Sequence, residues 1–345
     1  MSLLIKGIST LSELTIDVDK DWLKYSIENI GAPPAGVDAL ARGLVDIHAL
    51  DYGLNWADLG IIATGGIWSI AYLGNGITIL GDTIAHVWRS TNYGATWADL
   101  GVIASGVIRA MAYLGNGIAI VGDNANHVNR STDYGATWAD LGVIASADIA
   151  VMAYLGNGIA ILGDDNNHVY RSTDYGATWA DLGVIATADI DAMVYLGNGI
   201  AILGDAIRHV YRSIDYGATW TDLGVIAINS ISVMAYLGNG IAIAGDIAEH
   251  IYRSIDYGVT WADLGVIASD PIYAMAYLGA GIVILGDANR HVSRSTDYGA
   301  TWADLGLIAS DVIYSMAYLG NGIAIMGSQN RCVHRSTSAF QLWRG

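Results

Sequence analysis

The chain has 345 residues, with 30 aspartates but only three glutamates, and a formal net charge of -17 at pH 7. A chain with this much negative charge should repel phosphate backbones and anionic membrane surfaces. We therefore expect no nucleic-acid partner. Its single cysteine, Cys332, excludes a disulfide framework and a thiolate zinc site, and we expect no cofactor and no metal.

The first 42 residues do not share the pattern that fills the rest of the chain, and we treat 1–42 as a separate N-terminal segment. They contain two of the three prolines and charges of both signs. About 30 of them are similar to the connecting segments of phage tail fibres and adhesins, without a diagnostic motif. That resemblance implies a modular appendage.

Neither a secretory signal nor a membrane span is predicted. The opening MSLLIKGIST lacks a continuous apolar stretch. Residues 59–81 run without a charge, but a Gly-Asn-Gly turn interrupts them, and the corresponding stretches further along contain Arg109, Asp148 or Asp191. These segments are therefore interpreted as strands, and the sequence predicts neither a localisation nor an oligomeric state.

Residues 43–345 form a repeat domain. Eight tryptophans lie 41 residues apart without an insertion, at Trp56, Trp97, Trp138, Trp179, Trp220, Trp261, Trp302 and Trp343. A fixed period of this length is typical of β-propeller blades.

One unit, residues 139–179 with the strand that follows, shows the predicted elements. Residues 149–155 and 159–163 are apolar strands joined by a Gly-Asn-Gly hairpin turn. A polar loop leads to a third strand at 168–172, and a turn at 173–178 leads to an outer strand at 179–186. Each unit is thus a four-stranded antiparallel meander, and the fold class is all-β.

The number of complete units predicts seven blades. The inner hairpin occurs seven times and the turn before the outer strand also occurs seven times, but the two series are offset. The chain begins with an outer strand and ends with an inner hairpin, so we expect the strand at Trp56 to complete the C-terminal blade and close the ring. Eight blades, one of them degenerate and formed by residues 1–60, is the alternative.

The turn Ser-Thr-Asp-Tyr-Gly-Ala-Thr-Trp, starting at Ser131, resembles the Asp-box, or BNR repeat, of sialidase-like β-propellers. In this turn Asp133 can accept backbone hydrogen bonds, Gly135 can be left-handed, and Trp138 is expected to pack between sheets. The resemblance implies that the turn is structural and lies on the side away from the active centre. The other aspartates at this position are Asp51, Asp174, Asp215, Asp256 and Asp297.

Variation between units is concentrated in two windows, which we expect to meet on one face of the ring. The first window precedes and enters the innermost strand (104–110 in one unit), and the second connects the second and third strands (123–129). Loops on a rigid scaffold commonly carry binding residues. The candidate binding residues on this face are Trp68, Arg109, Asp191, Tyr273, Tyr314, Trp88, Tyr170, Tyr211, Tyr252, Arg208, Glu249, Arg290 and Arg331. For the third-strand residues, packing between blades is an equal alternative.

Two repeated side chains are interpreted as structural. A histidine precedes the third strand in six units, and because neighbouring blades stack about 10 Å apart, equivalent histidines cannot share one metal ion. We expect each histidine to cap its own loop by a hydrogen bond. The arginine near the end of the third strand, such as Arg130, is expected to pair with the repeated aspartates.

The function favoured by the sequence is a non-enzymatic binding module, similar to tail-fibre or adhesin modules, that recognises a protein or carbohydrate receptor through one asymmetric site. Two alternatives remain open. One is a recently amplified or engineered scaffold without a ligand. The other is a sialidase-like glycoside hydrolase, although Glu249 is the only glutamate in the repeats.

Overall fold

In a computed structural model, residues 52–336 are described. They form seven sheets of four antiparallel strands each, so the predicted all-β fold and the seven-blade count are confirmed. The N-terminal segment 1–42, Asp51 and the last predicted tryptophan, Trp343, lie outside the described residues. No helix long and apolar enough to cross a membrane occurs in residues 52–336.

The strands are numbered in chain order, and each blade contains four of them from the channel outward. The innermost strands are β2 (Ile67–Gly74), β6 (Ile108–Gly115), β10 (Ile149–Gly156), β14 (Ile190–Gly197), β18 (Ile231–Gly238), β22 (Ile272–Gly279) and β26 (Ile313–Gly320). The second strands are β3 (Ile77–Asp82), β7 (Ile118–Asp123), β11 (Ile159–Asp164), β15 (Ile200–Asp205), β19 (Ile241–Asp246), β23 (Ile282–Asp287) and β27 (Ile323–Ser328).

The outer half of each blade is shorter. The third strands are β4 (His86–Ser90), β8 (His127–Ser131), β12 (His168–Ser172), β16 (His209–Ser213), β20 (His250–Ser254), β24 (His291–Ser295) and β28 (Cys332–Ser336). The outer strands are β5 (Ala98–Val102), β9 (Ala139–Val143), β13 (Ala180–Val184), β17 (Thr221–Val225), β21 (Ala262–Val266), β25 (Ala303–Leu307) and β1 (Trp56–Ile61). Blades 1 to 6 run from β2–β5 to β22–β25.

Blade 7 contains strands from both ends of the repeat domain. Its order is β26, β27, β28 and then β1, which pairs antiparallel with β28 in the register Trp56 opposite Ser336 and Ile61 opposite Cys332. The predicted closure by the strand at Trp56 is therefore confirmed. The innermost strands β26 and β2 also contact each other, so the seven blades form a closed ring.

The core lies between neighbouring blades. Trp138 packs against the cluster that contains Leu73, Val87 and Ile108, which joins blades 1 and 2 as predicted. Neighbouring blades approach closely at a glycine, which is the last residue but one of each second strand. At Gly122, an added Cβ would lie 2.5 Å from Cγ2 of Ile149 in the next blade. Such close packing requires glycine at this position.

The repeated arginines connect blades in a way that the sequence did not predict. Nε of Arg130 donates to the backbone carbonyl oxygen of Tyr175 in the next blade at 2.7 Å. The same bond recurs around the ring and also crosses its closure, where Arg294 donates to Tyr52 and Arg335 to Tyr93. We expected these arginines to pair with the repeated aspartates, but the Nε–H of each donates to a backbone carbonyl in the adjacent blade's turn.

Candidate functional site

The two variable windows lie at the same end of the ring, as predicted. The amide of Asn124 in the second window donates to the carbonyl of Val107 in the first window at 3.0 Å. At the other end, the amide of Tyr134 donates to the carbonyl of Gly117 in the inner hairpin at 2.8 Å. Tyr134 lies in the turn that resembles the Asp-box, and we keep the label Asp-box turn for this turn and its copies. We call the end formed by the windows the variable face and the opposite end the turn face.

A buried aspartate at the end of each second strand except β27 fixes both windows. Asp164, fully buried, accepts hydrogen bonds from the amides of Asn166 and His168 in the second window, and from the amide and hydroxyl of Ser146 in the first. Sequence analysis assigned these aspartates no role. Their repetition after an apolar strand was the available signal, since a buried carboxylate must be hydrogen-bonded.

Hydrogen bonding keeps one of these carboxylates strongly acidic. Burial alone would raise the pKa of Asp82, but bonds from the His86 amide, the Thr64 hydroxyl and the amides of Ile84 and Gly65 hold the pKa below its ordinary value. In blade 1 the two windows are therefore anchored on an ionised carboxylate, in addition to apolar packing.

Every innermost strand has a β-bulge at its second residue. In β10 the register passes from Ile149 opposite Asp164 to Val151 opposite Gly163, so Ala150 has no partner of its own. A bulge re-aims a side chain and is common beside functional sites. The bulge residues, which we call the channel mouth, are Trp68, Arg109, Ala150, Asp191, Ser232, Tyr273 and Tyr314.

Three mouth residues form a continuous row of rings, which we call the aromatic row. The ring centroids of Tyr273 and Tyr314 are 5.4 Å apart, and those of Tyr314 and Trp68 are also 5.4 Å apart. The Trp68 indole N–H donates to Oε1 of Gln329 at 3.2 Å, which fixes one end of the row. Rings at this spacing stabilise one another and present a large, rigid contact surface.

An open cavity of about 250 Å³ lies on the ring axis behind the aromatic row. Its lining contains the three rings, Arg109 and Ala150 near the opening, and Met111, Met152, Met275 and Met316 deeper in the channel. Asp191 and Ser232 do not line it. The Ser232 hydroxyl donates to the carbonyls of Ile272 and Gly245, away from the opening.

Arg109 lies beside the aromatic row and is held by carboxylates. Its Nη1 donates to Oδ2 of Asp165 at 2.6 Å and reaches Oδ2 of Asp148 at 3.5 Å. Burial raises the pKa of Asp191 to about 6, and the charges of Asp165 and Asp189 add to that effect. Burial likewise raises the pKa of Asp165, although Arg109 opposes it. Carboxylates therefore outnumber the one arginine here.

The aromatic residues of the third strand do not face the opening. Tyr170, Tyr211 and Tyr252 are at most 4% exposed and belong to the cores between blades. Their hydroxyls bond to the first window, as Tyr252 does to the Ile228 amide at 2.9 Å. Trp88 is half-buried, and its indole N–H bonds to Asp82. This placement matches the interblade-packing alternative, so we leave these four residues out of the proposed site.

The charged residues at the end of the second window share an unusual backbone conformation. Arg208, Glu249, Arg290 and Arg331 have φ between 71 and 83°, in the left-handed region. Arg208 and Arg331 are exposed, while Glu249 and Arg290 are partly exposed. Of the four candidate arginines, only Arg109 lines the central cavity.

The Asp-box turns have the predicted geometry. Asp133 accepts bonds from the amides of Ala136 and Thr137 and from two hydroxyls, those of Ser131 and Thr137. Gly135 is left-handed with φ of 73°, and Tyr134 before it is left-handed too. Burial would raise the pKa of Asp133, but these bonds lower it to about 2. The same turn forms at Asp174, Asp215, Asp256 and Asp297.

The turn face is less uniform than the sequence comparison suggested. In blades 4 and 5, isoleucine replaces the threonine of the motif at Ile214 and Ile255, and valine replaces alanine at Val259. These side chains are 67%, 66% and 50% exposed. They provide natural positions for control substitutions away from the variable face.

The repeated histidines bond within their own blades. Nδ1 of His127 lies 3.0 Å from both carboxylate oxygens of Asp140 in the outer strand, and the other five histidines make the equivalent contact at 2.9–3.2 Å. The predicted hydrogen bond is confirmed, although its partner is the outer strand. Among residues 52–336, no group of three His, Cys, Asp or Glu side chains is arranged to hold a metal ion.

No protein-family model matches the chain, and no curated protein matches it. Solved structures do share its fold. YCF48 bound to a D1 peptide has a TM-score of 0.69 and 16% identity, covering 84% of this chain and 97% of that one. The WD40 β-propeller domain of Doa1 has a TM-score of 0.69 and 14% identity, covering 84% and 98%. The computationally designed Ika8 protein has a TM-score of 0.59 and 16% identity, covering 78% and 83%.

At these identities the similarity shows the fold alone. The chain is a seven-bladed β-propeller with a repeated blade motif, and its structural similarity extends to YCF48 and WD40 propellers. The resemblance of its turns to the sialidase-like family is therefore not specific at the level of the whole fold.

Proposed function

We propose that this propeller is a non-enzymatic binding module that takes a segment of a partner protein into its channel mouth. The observation that carries the proposal is the set of seven bulges. The same unpaired position, re-aimed by the same backbone irregularity, holds six different residue types in seven blades, from alanine to tryptophan. Equivalent sites would need equivalent residues, so the mouth forms one asymmetric site.

The contents of the mouth favour recognition over catalysis. Aromatic rings and arginine are the side chains that contribute most to protein interfaces, and here Trp68, Tyr273, Tyr314 and Arg109 border one cavity. A mostly apolar concave site with few polar groups is the usual form of a binding pocket. Arg109 bonds to carboxylates instead of joining other arginines, which gives no support to a sialidase-like carboxylate site.

Two further observations support the proposal. Among solved structures of the same fold, YCF48 is found with a bound peptide. Long charged side chains also occupy the left-handed position of the second window in four blades, where the other three blades have Ala85, Asn126 and Asn167. The variable face therefore differs in charge from blade to blade, as an asymmetric binding surface would.

The experiment is a selection from a phage-displayed library of random 12-residue peptides against the wild-type chain. Selected peptides are then measured by fluorescence anisotropy on an alanine-mouth variant, W68A/R109A/Y273A/Y314A. We expect at least a tenfold loss of affinity. The control variant I214T/I255T/V259A changes three exposed residues on the turn face and should bind as the wild type does.

Circular dichroism and thermal unfolding establish that both variants remain folded. A library that yields no peptide sensitive to the alanine mouth contradicts the proposal and favours the scaffold alternative. A glycan array on the same two variants distinguishes the carbohydrate receptor: mouth-dependent glycan binding without mouth-dependent peptide binding replaces the protein ligand by a sugar.

A further inference from the structure

The charges of this propeller are divided unevenly between its two faces. In residues 52–336 the fourteen variable windows contain thirteen carboxylates and four arginines, a formal charge of minus nine. The outer strands add an aspartate bonded to a window histidine in six blades. The seven repeated arginines instead donate towards the Asp-box turns of the neighbouring blades, which contain five aspartates in residues 52–336. The negative charge therefore concentrates on the face that carries the cavity.

The field at the mouth is also negative close to the aromatic row. On one side, Arg109 is matched by Asp165 and Asp148, and Asp191 and Asp189 lie in the same group. On the other side, Asp311 lies three residues before Tyr314 in the first window of blade 7. Burial raises the pKa of Tyr314, and the negative charge of Asp311 adds to that effect. A positive group over Tyr314 would meet a ring face and a carboxylate together.

From this charge distribution and the aromatic row, we propose that the ligand segment is basic and that one of its lysine or arginine side chains lies over Tyr273 and Tyr314 in the channel mouth. The inference rests on the proposed function. A cation over an aromatic face is attracted by the negative face of the ring, more strongly where water is excluded. Complementary charge across the wider face would mainly speed association and make it sensitive to salt.

The position of the cation within the mouth follows from Arg109. The guanidinium lines the same cavity beside Trp68 and already pairs with Asp165 and Asp148. The carboxylates on that side are therefore engaged, and a ligand cation gains more beside Asp311. Tyr314 in blade 7 and its neighbour Tyr273 in blade 6 lie further along the row. The basic side chain is therefore directed to the Tyr273–Tyr314 end, and the flanking part of the segment crosses Trp68.

The test uses the peptides selected on the full chain. We expect lysine and arginine to be enriched at least threefold over the input library among peptides that lose binding to the alanine mouth. Replacing each basic residue of such a peptide in turn by glutamine should identify one position where affinity falls at least tenfold. Raising the salt concentration from 50 to 500 mM should weaken the parent peptide more than its glutamine version.

A matched pair of variants locates the charge effect. Asp311→Asn should weaken the parent peptide threefold to tenfold and leave the glutamine peptide unchanged. Asp297→Asn makes the same change of residue and net charge in an Asp-box turn, where blade 1 already has Asn92, and should change neither affinity. Thermal unfolding confirms that both variants are folded.

Three results overturn this inference. Mouth-dependent peptides without enrichment of lysine or arginine leave the binding function standing but remove the basic ligand. Enrichment of aspartate, glutamate or a free C-terminal carboxylate assigns Arg109 as the recognition group instead. The absence of any mouth-dependent peptide removes both the proposed function and this inference.

Discussion

At the scale of single residues, the mouth contains a side chain that costs stability. Asp191 is largely buried with one hydrogen bond, from Ser230 at 3.2 Å, in a group where carboxylates exceed arginines. Its pKa is about 6 in the folded state against 3.8 for an ordinary aspartate, so the folded protein holds this proton more tightly than the unfolded chain does. Residues kept against stability are expected at functional positions.

Asp191→Asn should therefore stabilise the fold at pH 7. The carboxylate is ionised there in both states, but its charge is penalised only in the folded one, so the gain is roughly 1–3 kcal/mol. The gain should shrink as pH falls through about 6 and vanish below the unfolded pKa of 3.8, where the group is protonated in both states. Urea unfolding at pH 7 and 3.5 measures this. Asp270→Asn, a partly exposed aspartate in the first window of blade 6 and outside the Asp191 group, is the control and should change little.

The Asp-box turns provide the opposite case. Blade 1 has Asn92 where blade 2 has Asp133, and Asn92 accepts from the Thr96 amide at 2.9 Å through a neutral oxygen. Asn92→Asp should add about 0.5–1 kcal/mol at pH 7, since charge-assisted bonds are stronger. The lowered pKa of such an aspartate, about 2 for Asp133, means that this gain is lost as pH falls from 3.8 to 2.

The measurement is urea unfolding of Asn92→Asp and of the reverse change, Asp133→Asn. The two should shift stability at pH 7 by similar amounts in opposite directions, and both shifts should be smaller at pH 2.5. These turns are exposed, so water reduces the effect below what the pKa alone implies. Equal shifts at both pH values would show that charge plays no part in the turn.

At the scale of strands, the distance between neighbouring blades is set by glycine. An added Cβ would lie 2.5 Å from Ile149 at Gly122, but 3.1 Å from Ile272 at the equivalent Gly245. Gly122→Ala should therefore cost about 1–3 kcal/mol by overpacking, and Gly245→Ala clearly less. Chemical unfolding of the two variants decides, and an equal cost would mean that backbone freedom, not the contact, determines the choice of glycine.

The sequence predicted the boundaries of some strands well but did not predict their β-bulges. The third strand of blade 3 was predicted at 168–172 and is observed there, because turn residues and apolar runs bound it on both sides. The bulge at Ala150 was not predicted, although the equivalent residues Trp68 and Arg109 were predicted to lie on the variable face. Every copy has the same bulge, so it leaves the 41-residue period unchanged and produces no spacing signal.

Side-chain direction in the third strand was ambiguous for a related reason. Successive side chains of a strand point to opposite faces of the sheet, but in a propeller neighbouring blades cover both faces. Tyr170 could therefore belong to either face, and it lies in a core between blades. Alternation therefore cannot distinguish an exposed ring from a buried one. The blade count and the closing strand were predictable because the offset between two repeated turns is a property of the whole chain.

At the scale of the whole molecule, stability depends on the pairing of β1 with β28. Without β1, the third strand of blade 7 becomes an open edge. The cluster that contains Val333 then loses Leu59, and the cluster that contains Met326 loses Trp56. An unpaired edge of this kind promotes association between chains. A ring with one uncovered blade also loses the cooperative support that repeats receive from both neighbours.

Removal of residues 1–61 should therefore lower the unfolding temperature by several degrees or more and shift the chain to larger species than the intact chain forms, measured by light scattering after size exclusion. Removal of residues 1–42 alone retains β1 and should leave both properties unchanged. A synthetic peptide of residues 52–64 added to the shorter chain should restore the unfolding temperature in a concentration-dependent way, because it binds only the folded ring. If the chain lacking 1–61 has the same association state and stability as the intact chain, then β1 closes the ring without stabilising it, and a three-stranded blade 7 is enough to keep the ring folded.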